Sequence, residues 1–416
     1  MSALSPAWAD SFERLAGALP VAEQRERRAR FDSFVATGFP GPADEAWHYT
    51  DLAAQADAGY RLAHFDEADD ALLAATLPGS DRLVYKNGGL DRRHSTVETL
   101  DGTAAIRSTG EDGIDALNAA FATRGLVYTL AANTVAERPL QVLLQSDTGD
   151  SPAMLHQRHR ISLGANAEAT VLLQFVGRGG PRLLTHVIDV SLAAGAKLNL
   201  HRLSDEGDGA TLVTRLDARL ARDARLQVSG VSLGAGLARH RADLVIEGPG
   251  AEVHATSLQV PGAKAHADDL VRVVHAAPQG LSRIVARGIV DERAKAIFNG
   301  RVVVRPGAQK TDSEQRLAHL LLSRKAEVNA KPDLEIHADD VKCAHGATVG
   351  QLDAVALAYL RSRGIPLAEA RALLLRAFAT ETLERLAWPA LQAQIAARLD
   401  LPAADPELDE VSGDAA

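Results

Sequence analysis

Residues 187–200 read VIDVSLAAGAKLNL: a short strand-like segment, a turn of small residues and a second strand-like segment. Apolar and polar side chains alternate on both sides of the turn, which is typical of β-strands with one buried face. The turn itself, residues 193–196 (AAGA), consists of small residues and includes a glycine, which is conformationally free. This stretch therefore predicts two strands joined through a tight turn.

The same unit recurs along the second part of the chain. Three further turns share the small or polar chemistry of the first: residues 164–167 (GANA), 222–224 (RDA) and 248–251 (GPGA). An antiparallel sandwich would also contain many short strands. One turn chemistry recurs, and no Asn-Gly hairpin signal recurs at each turn, which favours a parallel β-helix. The repeats start roughly 26 to 32 residues apart, a spacing typical of stacked repeats, near Ile161, Val190, Ala218, Leu244, Val271, Val302 and Leu334.

Helical periodicity flanks these repeats on both sides. Apolar residues recur every three to four positions from Trp8 to Leu19, and again from Leu352 to Leu386 around a Gly364-Ile365-Pro366 break. We therefore expect a mainly β fold with four regions: an N-terminal helical region and lead-in to the solenoid (1–150), a parallel β-helix core (151–346), a C-terminal helical domain (347–402) and an acidic disordered tail (403–416).

The composition limits the possible functions. A formal net charge of -9 disfavours a nucleic-acid binder, which would present a basic face. The single cysteine excludes an intramolecular disulfide and fits a reducing compartment. The N-terminal residues lack the pattern of a secretion signal, and no apolar stretch has the length of a membrane span. We expect a soluble, cytoplasmic protein that binds neither nucleic acid nor membranes.

Motifs of common enzyme classes are missing from the sequence. It contains no GxxxxGK[ST] phosphate loop and no GxGxxG dinucleotide signature. These absences, together with the repeat architecture, favour a protein that is not an enzyme.

Most of the chemistry lies in residues 334–346, LEIHADDVKCAHG. The Cys343 thiolate is a soft metal ligand, and the His345 imidazole is a ligand of borderline softness. If the run is a strand, both side chains face the same way, with backbones roughly 6.5 to 7 Å apart. An iron-sulfur cluster usually takes about four ligands, mostly thiolates, so the missing ligands would come from another chain. Asp339 and Asp340 indicate a bend, which excludes His337 from the pair.

Alternative interpretations of these residues stay open. Cys343 could be a small buried hydrophobic side chain, the common role of a free cysteine. A nucleophile with His345 as its base is disfavoured, because the two residues lie side by side on one strand without a third orienting group. Residues 307–315 (GAQKTDSEQ) are interpreted as a solvated turn. Residues 44–52 (DEAWHYTDL) are interpreted as a packed turn or helix start.

An ordered series of motifs between about residues 285 and 380 resembles the SufB/SufD family of SUF iron-sulfur cluster assembly scaffolds. Residues 45–50 (EAWHYT) resemble the N-terminal signature of the SufD branch. SufB-type chains carry further cysteines, whereas this chain has none beyond Cys343, so the resemblance is greatest to SufD. The motifs are residues 311–315 (TDSEQ), 320–323 (LLLS), 332–336 (PDLEI), 339–350 (DDVKCAHGATVG) and 362–365 (SRGI).

The resemblance implies a right-handed parallel β-helix flanked by helical domains and a scaffold role in a heterodimer with a SufB-like subunit. It implies a SufC-like ATPase on the C-terminal helices, whose ATP hydrolysis rearranges the SufB-SufD interface. A transient iron-sulfur cluster would be shared with the partner chain, and reduced flavin would accompany the complex. His345 would match the family's interface histidine, with Cys343 as a second metal ligand.

Two other functions compete with this one. A carbohydrate-active β-helix enzyme would need aromatic sugar platforms, and aromatic residues make up only 4% of the chain. A structural homodimer without a metal role would need no partner of different sequence.

Overall fold

The computed structural model of the chain describes residues 4–64, 70–104 and 112–399. The acidic tail predicted at 403–416 lies outside the described residues. Within them the chain forms six α-helices and twenty strands. The helices are α1 (Pro6–Gly17), α2 (Val21–Thr37), α3 (Gly113–Phe121), α4 (Ala354–Ser362), α5 (Leu367–Leu383) and α6 (Pro389–Arg398).

The strands are, in chain order, β1 (Arg61–Leu62), β2 (Asp81–Lys86), β3 (Gly89–Leu90), β4 (Asp101–Gly102), β5 (Gly125–Leu130), β6 (Leu140–Asp147), β7 (Ala153–Leu163), β8 (Glu168–Arg178), β9 (Arg182–Leu192), β10 (Lys197–Glu206), β11 (Ala210–Leu220), β12 (Arg225–Gly234), β13 (Leu237–Ile246), β14 (Glu252–Gln259), β15 (His266–His275), β16 (Leu281–Val290), β17 (Lys295–Val304), β18 (Asp312–Leu321), β19 (Glu327–Ile336) and β20 (Lys342–Gly350).

From β5 onward, the strands alternate between two sheets, so that each odd strand pairs with the next odd strand and each even strand with the next even one. From β6 to β20 all of these pairings are parallel. Among the described strands, antiparallel pairs occur only at the start, in β2 with β3 and β4 with β5. The result is a parallel β-solenoid with helices at both termini, which confirms the predicted fold class.

The predicted repeat starts lie above one another in the odd-numbered sheet. Strand register aligns Ile161, Val190, Ala218 and Leu244 in one row, and Val302 and Leu334 continue it. One position was wrong: the residue in this row on β15 is Val273, whereas Val271 pairs with Ala242 and Gly300. A two-residue shift keeps a side chain on the same face of a strand, so alternation alone could not detect this error.

In each turn from an odd to the following even strand between β5 and β18, one residue adopts a left-handed backbone conformation. This explains the Gly, Asn and Asp residues of the predicted turns, because these residues tolerate positive φ best. The backbone N–H of each such residue donates to a carbonyl of the next turn, as in Asn166 to Ala194 and Gly195 to Arg222. The residues and their φ angles are Asn133 (58°), Asn166 (56°), Gly195 (67°), Asp223 (55°), Gly250 (73°), Gln279 (60°) and Lys310 (61°).

The helices cover the outer faces of the solenoid. At the N-terminal side, α1 to α3 share an aromatic cluster in which the rings of Phe12 and Phe31 stack 4.4 Å apart. At the C-terminal side, Leu383, Trp388 and Ile395 pack with Leu203 and Leu258 of the even-numbered sheet. None of the helices in the described ranges combines the length and apolar character that a bilayer crossing requires.

Several histidines are buried without a carboxylate partner to hold a charge. Burial lowers the pKa of His156 and His159 to about 3. Burial also lowers the pKa of His201 and His275 to about 4, and that of His319 to about 4 with a smaller effect of Arg287. The folded protein therefore holds these imidazoles in the neutral form at and below neutral pH.

We expect the free energy of unfolding to be greatest above about pH 6.5 and to fall as the pH is lowered toward about 4, because the unfolded chain then binds protons that the buried imidazoles exclude. Each histidine contributes at most about 1.4 kcal/mol per pH unit within this window. Denaturant unfolding at about pH 7 and about pH 5 measures the change. Equal free energies at both pH values would contradict the neutral, buried state.

Candidate functional site

Cys343 and His345 lie on β20, the last strand of the even-numbered sheet, which pairs with β18 on one side only. Strand register places both in rows that face the space between the two sheets, here called the lumen. One row runs through Leu198, Leu226, Val253, Ser282, Ser313 and Cys343, and the other through Leu200, Val228, Ala255, Ile284, Gln315 and His345. The sequence prediction that the two residues share a strand face agrees with this register.

The last coil, formed by β19 and β20, is not covered by another coil within the described residues. We call this the open end. Cys343 is half-buried and packs against the core, whereas His345 is exposed. In the earlier coils these two lumen rows consist mostly of buried apolar side chains. At the open end the same rows finish with a thiol and an imidazole that another molecule can reach.

Polar groups lie directly beneath the pair. The Oγ atoms of Ser282 and Ser313 are 2.8 Å apart, and the Nε2 atom of His275 is 2.8 Å from Ser282 Oγ. Gln315 donates from Nε2 to the Asp333 carbonyl at 3.1 Å, while its Oε1 atom has no hydrogen-bond partner among the described groups. The two rows that end at Cys343 and His345 thus change from apolar to polar in the last coils.

The interpretation of residues 307–315 as a solvated turn was wrong for their second half. Thr311, Ser313 and Gln315 are 1%, 2% and 0% exposed. Burying such groups is costly unless they are hydrogen-bonded, and Thr311 Oγ1 bonds the Ala308 carbonyl. The spacing of two between these three residues was a strand signal that sequence reasoning missed.

The environment of Cys343 keeps its thiol protonated in the isolated chain. Partial burial raises the pKa of Cys343, the Asp312 carboxylate raises it further, and a hydrogen bond from the Ser313 backbone opposes both. The thiolate is the form that binds metals, so ligation here requires a nearby cation to displace the proton.

The bend predicted at Asp339 and Asp340 separates β19 from β20. His337 lies before the bend and contacts Glu335, with His337 Nε2 3.0 Å from Glu335 Oε1. Throughout the described ranges, no group of three or more His, Cys, Asp or Glu side chains is placed to hold a metal ion. The open end therefore offers two neighbouring candidate ligands and not a complete site.

The two edges of the open end differ in chemistry. Apart from Lys342 and His345, β20 carries short side chains, and a Cβ atom at Gly346 or Gly350 would meet no other atom within 4 Å. The β19 edge carries Pro332, which lacks a backbone N–H, and charged side chains such as Lys331 and Glu335. Proline and charge protect an edge strand from pairing, and β20 has no proline and a single lysine or acidic residue, Lys342 at its start. The β20 edge is therefore the less protected of the two.

Residues 45–50 pack onto the outer face of the odd-numbered sheet. Trp47 is 4% exposed, donates from Nε1 to Asp112 Oδ2 at 3.2 Å, and lies under the Arg239 guanidinium, 4.1 Å from the ring centroid. Arg239 in turn bonds Asp268, and Thr50 bonds the same carboxylate. The interpretation as a packed turn is confirmed for Trp47 and Thr50.

The conserved-sequence model described as "SUF system FeS cluster assembly, SufBD core domain" matches residues 143–378. The chain is 31% identical over 388 residues to the iron-sulfur cluster assembly protein SufD of Escherichia coli (strain K12), which covers 90% of this chain and 92% of that protein. The chain belongs to the SufB/SufD family.

Other members of the SufB/SufD family also align with this chain. An iron-sulfur cluster assembly SufBD family protein of Synechocystis is 28% identical over 403 residues, covering 89% of each chain. The SufD protein of Bacillus subtilis (strain 168) is 25% identical over 279 residues, covering 66% of this chain and 63% of that protein. Within the SufB/SufD family the chain is most like SufD.

We expect diethyl pyrocarbonate to modify His345 quickly and the buried lumen histidines slowly, because the reagent needs access to a neutral imidazole nitrogen. His345 is exposed, whereas His275 and His319 are 0% and 2% exposed. Peptide mass spectrometry over a time course measures each rate. His254, with 46% of its side chain exposed, is the control for a surface histidine. Modification of His345 at the slow rate of His319 would contradict the open end.

Proposed function

We propose that this SufB/SufD family chain is a non-enzymatic scaffold subunit for iron-sulfur cluster assembly in the cytoplasm, and the SufD-like component of a SufB-SufC-SufD complex. The observation that carries the proposal is the position of Cys343 and His345 in lumen rows at the open end. The family match favours this role over a carbohydrate-active enzyme.

The nascent cluster is the cargo of the complex, and it forms between two chains. A cluster takes about four protein ligands, and the described residues of this chain bring two candidates together. A SufB-like subunit that covers the open end supplies the others, and exclusion of water there stabilises the cluster. The β20 edge, the less protected of the two, supports docking at this place. When the partner is missing, a second copy of the chain covers the same end as a homodimer.

A SufC-like ATPase docks on the C-terminal helical domain predicted at 347–402, and its ATP hydrolysis rearranges the SufB-SufD interface. The support is a set of exposed apolar side chains on α4 and the first half of α5. Its members and their exposed fractions are Val355 (78%), Tyr359 (58%), Leu367 (46%) and Leu373 (38%). Because β20 leads directly into α4, a movement of α4 acts on the strand that carries His345.

Reduced flavin belongs to the proposal only as a component of the assembled complex. A cavity of about 70 Å³ borders Phe175 and Phe298 in the lumen, whereas ligand pockets begin at roughly 300 Å³. This lumen cavity is too small for a flavin, larger clefts of about 400 and 960 Å³ lie beside His254 and Arg61, and no step is assigned to flavin in this chain.

His345→Ala is expected to lower the cluster yield of the co-expressed complex by at least about tenfold. Mutation of residues that only hydrogen-bond to a metal ligand already lowers metal affinity by about that factor. The fold should be unaffected, because the side chain is exposed. Iron and sulfide content per complex after anaerobic purification measures the yield. His254→Ala is the matched control on the outer surface. Wild-type yield in His345→Ala would overturn the site, and Cys343→Ser then reports whether the thiol contributes independently.

Val355→Ala combined with Tyr359→Ala is expected to weaken capture of the SufC-like ATPase by at least about tenfold, because exposed aromatic residues often dominate interface energies. Arg371→Glu on the exposed side of α5 tests the same surface by charge. Titration of the purified ATPase against immobilised complex measures the affinity. Val21→Ala, at an 80% exposed position on α2, is the control. Unchanged capture by both variants would place the ATPase elsewhere.

A further inference from the structure

The open end by itself is a small surface. Strand β19 has 10 residues, or about 33 Å at about 3.3 Å per residue, and two packed sheets are about 10 Å apart. The end therefore projects an area of roughly 330 Å², and even about twice that area stays below the ~800 Å² that each partner of a stable complex buries. A partner that closes the end must extend onto a neighbouring surface.

The loop of residues 45–50 is such a surface. Thr50 contacts His266 and Asp268 on β15, with Thr50 Oγ1 2.9 Å from His266 Nε2. Strand β15 is separated from the terminal strand β19 only by β17. Neighbouring strands are about 4.8 Å apart, so the anchor of this loop is about 10 Å from the edge of the open end.

Electrostatics connects the loop to the terminal strand. Arg301 on β17 forms ion pairs with Glu335 and Asp333 of β19, the latter at 3.6 Å. The hydrogen bond to Glu335 is the main cause of the raised pKa of Arg301, and the Glu45 carboxylate adds to the same shift. Glu45 therefore lies within electrostatic reach of the cation that borders the open end.

The anchoring of Trp47 and Thr50 leaves the residues between them at the surface. His48 is exposed, Tyr49 is 37% exposed, and their rings meet edge to face with centroids 4.8 Å apart. Tyrosine is enriched among the residues that dominate binding energies at interfaces. The anchored loop holds the Tyr49 ring in place before binding, which reduces the conformational entropy lost in a complex.

We infer that His48 and Tyr49 form a second contact for the SufB-like chain that closes the open end, so that the partner reaches from β19 across Arg301 onto this loop. The inference rests on the proposed function, because it assigns part of the same partner surface. In this inference the exposed residues His48 and Tyr49 contact the partner, and the buried residues Trp47 and Thr50 hold them in position.

The test measures the affinity of the purified chain for the SufB-like subunit of the same organism by biolayer interferometry. His48→Ala combined with Tyr49→Ala is expected to raise Kd at least fivefold, and Tyr49→Phe, which keeps the ring, to restore most of the affinity. Val135→Ala, at a 62% exposed position before β6, is the control. Thermal unfolding of each variant confirms that the fold is intact.

An increase of less than fivefold in the double variant, or an equal increase in Val135→Ala, overturns the inference. A loss of ATPase capture without a change in Kd for the SufB-like subunit overturns it as well, because the loop would then serve the other partner. If the wild-type chain has no affinity for the SufB-like subunit, it is the proposed function that fails.

Discussion

In-register backbone hydrogen bonding between successive coils is the constraint on which the rest of this structure depends. From β5 to β18 each strand pairs with the strand two places later, and in the turns from odd to even strands one left-handed residue stacks on the next turn in the same register. Because register fixes which residues lie above one another, it also fixes the chemistry of every row along the lumen. The location of Cys343 and His345 is a consequence of this stacking and not of any local motif.

A solenoid satisfies the backbone groups of each coil with those of the next, so its last coil is incomplete by construction. Most soluble proteins protect such an edge, and this chain does so on β19 with Pro332 and several charges. On β20 this protection is weaker, with Lys342 as its one lysine or acidic residue, and a thiol and an imidazole lie in lumen rows at the uncovered end. Capping this coil would stabilise a subunit that acts alone. The exposure of the coil therefore favours a function in complex with another chain.

The sequence indicated the architecture through residues whose conformational preferences are strong. Gly195 and Gly250 marked turns correctly, because positive φ is easy for glycine. Gln279 and Lys310 occupy equivalent left-handed positions without a sequence signal, since there the stacked turn imposes the conformation. The sequence predicted Val271 as a repeat start, whereas Val273 occupies that row on β15. Alternation with a period of two is unchanged by a shift of two residues, so it could not distinguish them.

For the candidate site, the sequence by itself determined that Cys343 and His345 share a strand face and that two ligands are too few for a cluster. It also identified the residue 45–50 motif as a packed element. Only the tertiary structure decided that this strand face is the lumen face of an uncovered coil, that Ser313 and Gln315 are buried beneath it, and that Tyr49 stays exposed. The reason is physical: alternation defines two faces of a strand, but burial depends on which neighbouring strands stack against it.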